Sequence, residues 1–124
     1  MRKSLFKTTR KVMLALLLTF GLAAPALACE CAVGMPDPVT TNHAYSLADV
    51  TVRGMSMANH QSALAIDTVR RGFLTAQYIR AKFSTGDCGV VPQYQRKMTV
   101  LLKAEDDGSY SIAGQCETRA ALAH

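Results

Sequence analysis

The chain has 124 residues and a formal net charge of +5, from 14 Lys and Arg against 9 Asp and Glu. Five of the basic residues lie within the first 11 positions, so residues 29–124 carry equal numbers of basic and acidic side chains. A neutral domain has no excess positive charge with which to attract nucleic acid or an anionic membrane. We therefore expect neither as a partner.

The first 28 residues predict an export signal. Its charged start is formed by Arg2, Lys3, Lys7, Arg10 and Lys11. An apolar run from Val12 to Leu22 follows, and Ala26-Leu27-Ala28 is a small-x-small cleavage site. The run of about 11 residues is short for a bilayer span, which needs about 20. We expect a signal peptide over residues 1–28, a mature chain that begins at Cys29, and export to the periplasm or extracellular space without a stable membrane anchor.

A lipoprotein signal also ends at a cysteine, so attachment of lipid to Cys29 is the alternative. The preceding residues, Pro25 to Ala28, lack the leucine that usually stands three positions before a lipidated cysteine. Lipid on Cys29 would also leave three thiols in an oxidising compartment, where cysteines normally pair. The sequence favours a cleaved signal without lipid.

Residues 29–124 alternate with a period of two, which predicts strands. The five predicted strands are Asp49 to Met57, Leu64 to Phe73, Gln77 to Phe83, Lys97 to Ala104 and Ser109 to Cys116. Gly54 predicts a bulge or tight bend, and Asp106-Asp107-Gly108 predicts a hairpin turn. Short helices are expected over Pro38 to Ala48 and Glu117 to Leu122. The sequence predicts a single all-β domain, a small antiparallel barrel or sandwich.

The alternation also assigns side chains to strand faces. The residues predicted to share one face within a strand are Val50, Val52 and Gly54; Ile79, Ala81 and Phe83; Met98, Val100 and Leu102; and Tyr110, Ile112 and Cys116. The second strand carries Leu64, Ile66 and Val69, but its alternation slips near Asp67. The opposite face is expected to carry Thr51, Arg53 and Met55 in the first strand, Tyr78, Arg80 and Lys82 in the third, and Lys97, Thr99 and Lys103 in the fourth.

Four cysteines, Cys29, Cys31, Cys88 and Cys116, predict two disulfides in an exported domain. A bond between Cys29 and Cys31 would close a small strained ring, so each pairs with a distant partner. Two pairings stay open, Cys29 with Cys88 and Cys31 with Cys116, or the crossed alternative. Each bond would contribute about 4 kcal/mol in the chain-entropy model. A zinc site is the competing interpretation, but the chain has no Cys-x-x-Cys pair, and the Cys-x-x-Cys-His motif for haem is absent.

Other candidate sites have weaker support. The histidines, His43, His60 and His124, are scattered, and no spacing indicates a catalytic triad, so we expect neither an enzyme nor a cofactor. Met55, Met57 and His60 are compatible with soft-metal binding, but packing of the methionines is the favoured interpretation, and no metal is expected. The predicted face of Tyr78, Arg80 and Lys82 has the composition of a sugar- or oligonucleotide-binding surface, although a solvated face is favoured.

Four segments carry a resemblance to a known family. They are Cys29-Glu30-Cys31, then Ala44 to Gly54, then Asp87-Cys88-Gly89, and then Gly108-Ser109-Tyr110 leading to Cys116. In this order they resemble the netrin-like domain shared with the tissue inhibitors of metalloproteinases (TIMPs). The resemblance spans nearly all of residues 29–124 and implies a five-stranded OB-fold barrel. It also implies the pairing of Cys29 with Cys88 and Cys31 with Cys116.

The chain departs from the inhibitors in two respects. Ser46 stands where they carry a further cysteine, and the sequence ends eight residues after Cys116, without their second domain. The short form is similar to the bacterial members of the fold, which keep two disulfides. A fold of this kind hosts more than one function.

Two functions are therefore expected as alternatives. The first is an exported module that uses its barrel to bind an envelope or extracellular protein, or a glycan, with the disulfides serving stability; we expect it to be a monomer. The second, implied by the resemblance, is a metalloprotease inhibitor. In that case the α-amine and carbonyl of Cys29 chelate the catalytic zinc, Glu30 enters the specificity pocket, and Cys31 with Ala32 completes a rigid wedge.

Overall fold

The structure, a computed structural model, describes residues 29–124. The predicted export signal and its cleavage site lie outside the described residues. The elements in chain order are helix α1 (Pro38–Thr41), strands β1 (Tyr45–Ser56), β2 (Gln61–Arg71), β3 (Tyr78–Lys82), β4 (Lys97–Ala104) and β5 (Tyr110–Ile112), and helix α2 (Gln115–Leu122). The predicted five-stranded, mostly-β fold with short flanking helices is confirmed.

The five strands form a closed barrel in the order β1-β2-β3-β5-β4, and β4 pairs back onto β1. Four of the five neighbouring pairs are antiparallel, whereas β3 and β5 run parallel, with Ala81 opposite Tyr110. An odd number of strands cannot alternate in direction around a closed ring, so one parallel pair is unavoidable. The barrel is OB-fold-like, and the antiparallel arrangement that the sequence predicts is present in four of its five strand pairs.

The barrel interior is the main hydrophobic core, and most residues predicted to face inward are in it. Its buried members are Ala48, Val50, Val52, Leu64, Ile79, Ala81, Phe83, Val100, Leu102 and Ile112. Alternation within each strand explains this set, because successive side chains point to opposite faces of a sheet. The third strand follows the prediction closely: Tyr78, Arg80 and Lys82 are exposed on the outer face.

A second, smaller core lies outside the barrel, under α2. Leu47 and Leu101 lie opposite each other on β1 and β4 and pack with Ala121 of the helix. The predicted helix over Pro38 to Ala48 is wrong beyond Thr41, because residues 45–48 pair with β4 instead. Both faces of this part of β1 are buried, so its residues lose the alternation that identifies a strand.

The bulge predicted at Gly54 is present, since the register of β1 against β2 shifts between Val52 and Gly54. The shift changes which side chains face inward. Met55 packs against the inner core, and a Cβ at Gly54 would lie 3.5 Å from the Cβ of Ala63 on the outer face. The expectation that Gly54 continues the inner face and Met55 the outer one is therefore wrong, because the extra residue of a bulge reverses the alternation beyond it.

The last predicted strand is shorter than expected and ends at Ile112. Gly114 then begins α2, so Cys116 lies on a helix and does not share a strand face with Ile112. The chain turns here because the Gln115 N–H donates to the Cys88 carbonyl at 2.8 Å. A Cβ at Gly114 would lie 2.9 Å from that same carbonyl oxygen, which explains the glycine. The preceding turn is as predicted, with Gly108 at φ 84°.

One buried ion pair joins both helices to the barrel. Asp37 is 5% exposed, accepts from the Val39 N–H at the start of α1, and pairs with Arg71 at the end of β2. Arg71 also donates to the Ala121 carbonyl of α2 at 3.0 Å. The hydrogen bond from Arg71 is the main cause that lowers the pKa of Asp37 to about 2, with further hydrogen bonds from Thr40 and Val39. This pair fixes α1 and α2 against the same end of the barrel.

Candidate functional site

The N-terminal ridge, defined as Cys29 to Ala32, is an irregular segment fixed to the barrel by both disulfides. Cys29 bonds to Cys88 and Cys31 bonds to Cys116, with Cα–Cα distances of 5.1 and 5.2 Å. This is the pairing that the resemblance implies. One bond leads to the loop after β3 and the other to α2, so the ridge is anchored on two separate elements.

The two disulfides lie against each other, with 3.5 Å between the sulfurs of Cys29 and Cys116. The sulfurs of Cys29, Cys31 and Cys116 all lie within 4.8 Å of one another, which is close enough to hold a metal ion if they were thiolates. A cysteine binds a metal ion through its thiolate, and a sulfur in a disulfide is not a thiolate. In this bonded state the cluster is a crosslink, and its chemistry is to hold the ridge in one place.

Between its two anchors the ridge presents side chains to solvent. Glu30 and Ala32 are exposed, and the next residue, Val33, is fully exposed. The Glu30 side chain makes no hydrogen bond or ion pair with any other residue in the range 29–124. Arg119 of α2 lies beside the ridge, with its guanidinium 3.8 Å from the Cys31 sulfur. The residues predicted as a protease-contacting wedge therefore lie together on one exposed segment.

A second candidate site, the basic groove, runs along β2 on the outer face of the barrel. We define it by Arg53, Ala63, Ala65, Tyr78, Arg80 and Lys82. On the central strand its floor has the small side chains of Ala63 and Ala65, and it ends at Gln61, which lies opposite Lys82. Tyr78 lies opposite Ala65, and Arg80 lies opposite Ala63, so β3 forms one wall. The part of the groove between Arg53, Tyr78 and Arg80 is a depression with a volume of about 300 Å³.

The opposite wall of the groove is formed by the bulged part of β1. Gly54 lies opposite Ala63, and Arg53, the extra residue of the bulge, lines the same depression as Ala63 and Arg80. Adjacent strands are about 4.8 Å apart, so the backbones of β1 and β3 are about 10 Å apart across β2. The groove is therefore as wide as one extended peptide chain.

The cations of the groove have no partner in the part of the chain that the structure describes. Arg53, Arg80 and Lys82 are exposed and form neither an ion pair nor a side-chain hydrogen bond there. By contrast, Arg70 and Arg71 on the same barrel are both paired with carboxylates. A charged surface left without internal partners is available to bind an oppositely charged ligand.

Two acidic side chains limit the groove at its ends. Asp67 follows Ala65 on the outer face of β2 and accepts a hydrogen bond from Thr51 at 2.7 Å. Asp107 lies in the turn between β4 and β5; hydrogen bonds from Ser109 lower its pKa, with a smaller contribution from the charge of Lys82. The positive charge of the groove is thus confined to the short stretch between these carboxylates.

The remaining sequence candidates do not come together. Met55 packs inside the barrel, whereas Met57 is exposed in the turn after β1, so the two do not share a face. Packing explains Met55 as expected, but it does not explain Met57. His60 adopts φ 49° in the same turn and lies 5.8 Å from the Phe83 ring. His43 and His124 are exposed at other places in the chain.

Sequence reasoning missed one wall of the groove. Alternation places Arg53 on the outer face, but its closeness to Arg80 depends on strand order and on the bulge. The run of alanines at alternate positions of β2, Ala63 and Ala65, is the signal that could have indicated a groove floor, because small residues on an outer face lower the surface.

Comparisons of the chain with protein-family models, with curated proteins and with solved structures find no match. Among residues 29–124 no helix is both long enough and apolar enough to cross a membrane. The functional assignment therefore depends on the geometry of the ridge and of the groove.

Proposed function

We propose that this protein is an exported, disulfide-stabilised interaction module of the netrin-like type, which binds a protein partner in the envelope or outside the cell through the basic groove. The observation that carries the proposal is the set of unpartnered cations Arg53, Arg80 and Lys82 on one open face. Unpaired charges on an otherwise neutral domain favour encounter with a complementary surface and add specificity more than bulk affinity.

The disulfides support this proposal by explaining how a small domain leaves one face free of stabilising contacts. Each closes a long loop, with sequence separations of 59 and 85 residues. In the chain-entropy model such loops stabilise the fold by about 4 kcal/mol each. Because these crosslinks stabilise the fold from the helix side of the barrel, no further element has to pack over the groove.

Capture of partners from the protein's own envelope fraction tests the proposal. The oxidised exported product is compared with its Arg80→Glu variant, and Lys103→Glu on β4 is the matched control because it makes the same change in net charge. We expect a specific partner to be retained by the unmodified protein and the control and lost by Arg80→Glu. Equal retention by all three proteins would overturn the proposal.

The compartment is tested separately by intact-mass analysis of the exported product. A chain that begins at Cys29 with two disulfides and no acyl group supports a freely diffusing exported module. A mass increase matching a diacylglycerol group would instead show that the module is anchored by lipid.

The double anchoring of the ridge favours a second function, inhibition of a metalloprotease. Disulfides on both sides of Glu30 hold the segment rigid, which reduces the entropy lost when it enters an active-site cleft. A free α-amine at Cys29 would supply a lone pair to the catalytic zinc together with the Cys29 carbonyl, displacing the zinc-bound water; metal ligation requires the unprotonated amine. Glu30 is unfavourable in an apolar specificity pocket, because desolvation of a carboxylate is costly.

Two variants test the inhibitor function. One alanine added before Cys29 should abolish inhibition without changing the melting temperature, because it moves the amine away from the zinc. Glu30→Thr should strengthen inhibition of metalloproteases with apolar pockets. If neither variant changes binding to any metalloprotease, the inhibitor function is excluded and the module remains.

A further inference from the structure

We infer that the basic groove recognises a short acidic segment of the partner protein, bound as an extended chain along β2 with three successive carboxylates directed at Arg80, Arg53 and Lys82. The inference rests on the proposed function and specifies the chemistry of the partner. It follows from the spacing of the cations, from the height of the floor, and from the acidic residues that limit the groove.

The spacing of the cations matches the geometry of an extended peptide. Arg80 and Lys82 are two residues apart on the outer face of β3, about 6.6 Å along the strand, which is also the repeat of alternate side chains in an extended chain. Arg53 lies across β2 from Arg80. A peptide over β2 therefore directs its first and third side chains to β3 and the one between them to β1.

The floor allows such a peptide to approach closely. Ala63, opposite Arg80, presents only a methyl group, and Gly54 beside it presents none, while Gln61 lies opposite Lys82 at the end of the groove. The ring of Tyr78, which is 73% exposed, stands at one edge and offers an apolar contact to the aliphatic part of a bound side chain. Guanidinium groups at the walls then meet carboxylates in bidentate geometry, the strongest common form of charge-assisted hydrogen bond.

The ends of the groove favour a short acidic segment over a long polyanion. Beyond Ala65 the outer face continues to Asp67, and beyond Lys82 it meets Asp107. A nucleic acid or an acidic polysaccharide that continued past the groove would bring its negative charges against these carboxylates. A segment with three consecutive acidic residues keeps its charge within the basic stretch.

Fluorescence anisotropy with labelled peptides tests the inference on the oxidised exported product. The probe has three consecutive glutamates between Gly and Ser residues. The matched control peptide has the same length and the same three glutamates, each separated by three neutral residues. We expect the consecutive peptide to bind at least about tenfold more tightly, because only it satisfies all the cations at once.

Protein variants identify the site. Arg53→Gln and Arg80→Gln should each weaken binding of the consecutive peptide about tenfold, the value of one lost charge-assisted contact, and Lys103→Gln should leave it unchanged. Arg53→Gln and Arg80→Gln should keep the melting temperature of the unmodified protein, because both side chains are exposed, whereas Lys103→Gln loses the contact of the Lys103 Nζ with the Tyr45 ring at 5.9 Å and is compared at a temperature where it is fully folded.

Three outcomes would overturn the inference. They are equal affinity for the two peptides, equal weakening by Lys103→Gln, and tighter binding of single-stranded DNA or a sulfated polysaccharide of the same charge through Arg53 and Arg80. The proposed function fails by a different measurement. If Arg80→Glu still captures the native partner, the groove is not the docking site, whereas loss of capture without peptide binding would overturn only the acidic segment.

Discussion

The barrel has two sides that differ in how their polar and charged groups are satisfied. On the helix side, α1 packs against β1 and α2 against β4, and the Asp37–Arg71 ion pair joins the two helices to the barrel. On the groove side, Arg53 and Arg80 are exposed and have no partner within residues 29–124. Stability is thus concentrated on one side, which leaves the other free to bind.

A transition between the two sides lies on β1 itself. Asp49 accepts hydrogen bonds from Thr99 of β4 and from Arg70 of β2, and these contacts lower its pKa. Four residues later, at the bulge, Arg53 has no such hydrogen bond within the described part of the chain. One strand therefore contributes hydrogen-bonded polar side chains before the bulge and an exposed arginine at it.

Removal of a disulfide should have the largest effect on the free energy of unfolding, because the disulfides stabilise the helix side of the barrel. We expect Cys116→Ser to lower the free energy of unfolding by about 4 kcal/mol through the longer free loop of the unfolded chain. Cys88→Ser should cost a similar amount. Urea unfolding of the oxidised variants measures both, and a loss below about 1 kcal/mol would show that the crosslinks do not support this side.

Truncation of a side chain in the second, smaller core should have the next largest effect on stability. Leu101 is fully buried between β4 and α2, so Leu101→Ala should cost about 3 kcal/mol, the usual range for a buried leucine. Thermal unfolding followed by circular dichroism measures this loss. Leu122→Ala, at a side chain that is 49% exposed on the same helix, is the control and should cost much less.

The buried ion pair should make stability depend on pH at the acidic end. The folded pKa of Asp37 is about 2, below the ordinary value of 3.8, so its contribution is complete above about pH 5 and is lost as pH falls toward 2. Asp37→Asn should cost about 2 kcal/mol at pH 7, because it leaves the Arg71 charge without its partner. Unfolding curves from pH 2 to pH 7 should show a smaller pH dependence in the variant. A variant with the same slope as the unmodified protein would contradict this role.

The smallest effect on the free energy of unfolding is expected from substitutions on the groove side. Arg53→Gln and Arg80→Gln together should change the free energy of unfolding by less than about 0.5 kcal/mol, as for surface positions without partners. A loss comparable to that of Asp37→Asn would mean that these arginines stabilise the fold, and the contrast between the two sides would disappear. The same double variant should bind the acidic peptide most weakly.

The sequence predicted much of this architecture because the alternation of apolar and polar residues identifies a strand. β3 and β4 match their predicted positions closely, as do the exposed side chains of Tyr78, Arg80 and Lys82. Prediction was wrong where a second layer covers the sheet, since α2 buries the outer face of β1 near Leu47 and removes the alternation. It was also wrong at Met55, where one extra residue reversed the faces.

The sequence by itself determined the local features: five strands, the hairpin turn at Gly108, the four cysteines and the exposed face of β3. Each depends on residues that are neighbours in the chain, so spacing and residue type are sufficient. Only the tertiary structure decided that Arg53 and Arg80 lie on either side of Ala63 and that the ridge lies between two anchors. These features join residues that are far apart in sequence, and strand order, register and closure of the barrel determine which of them meet.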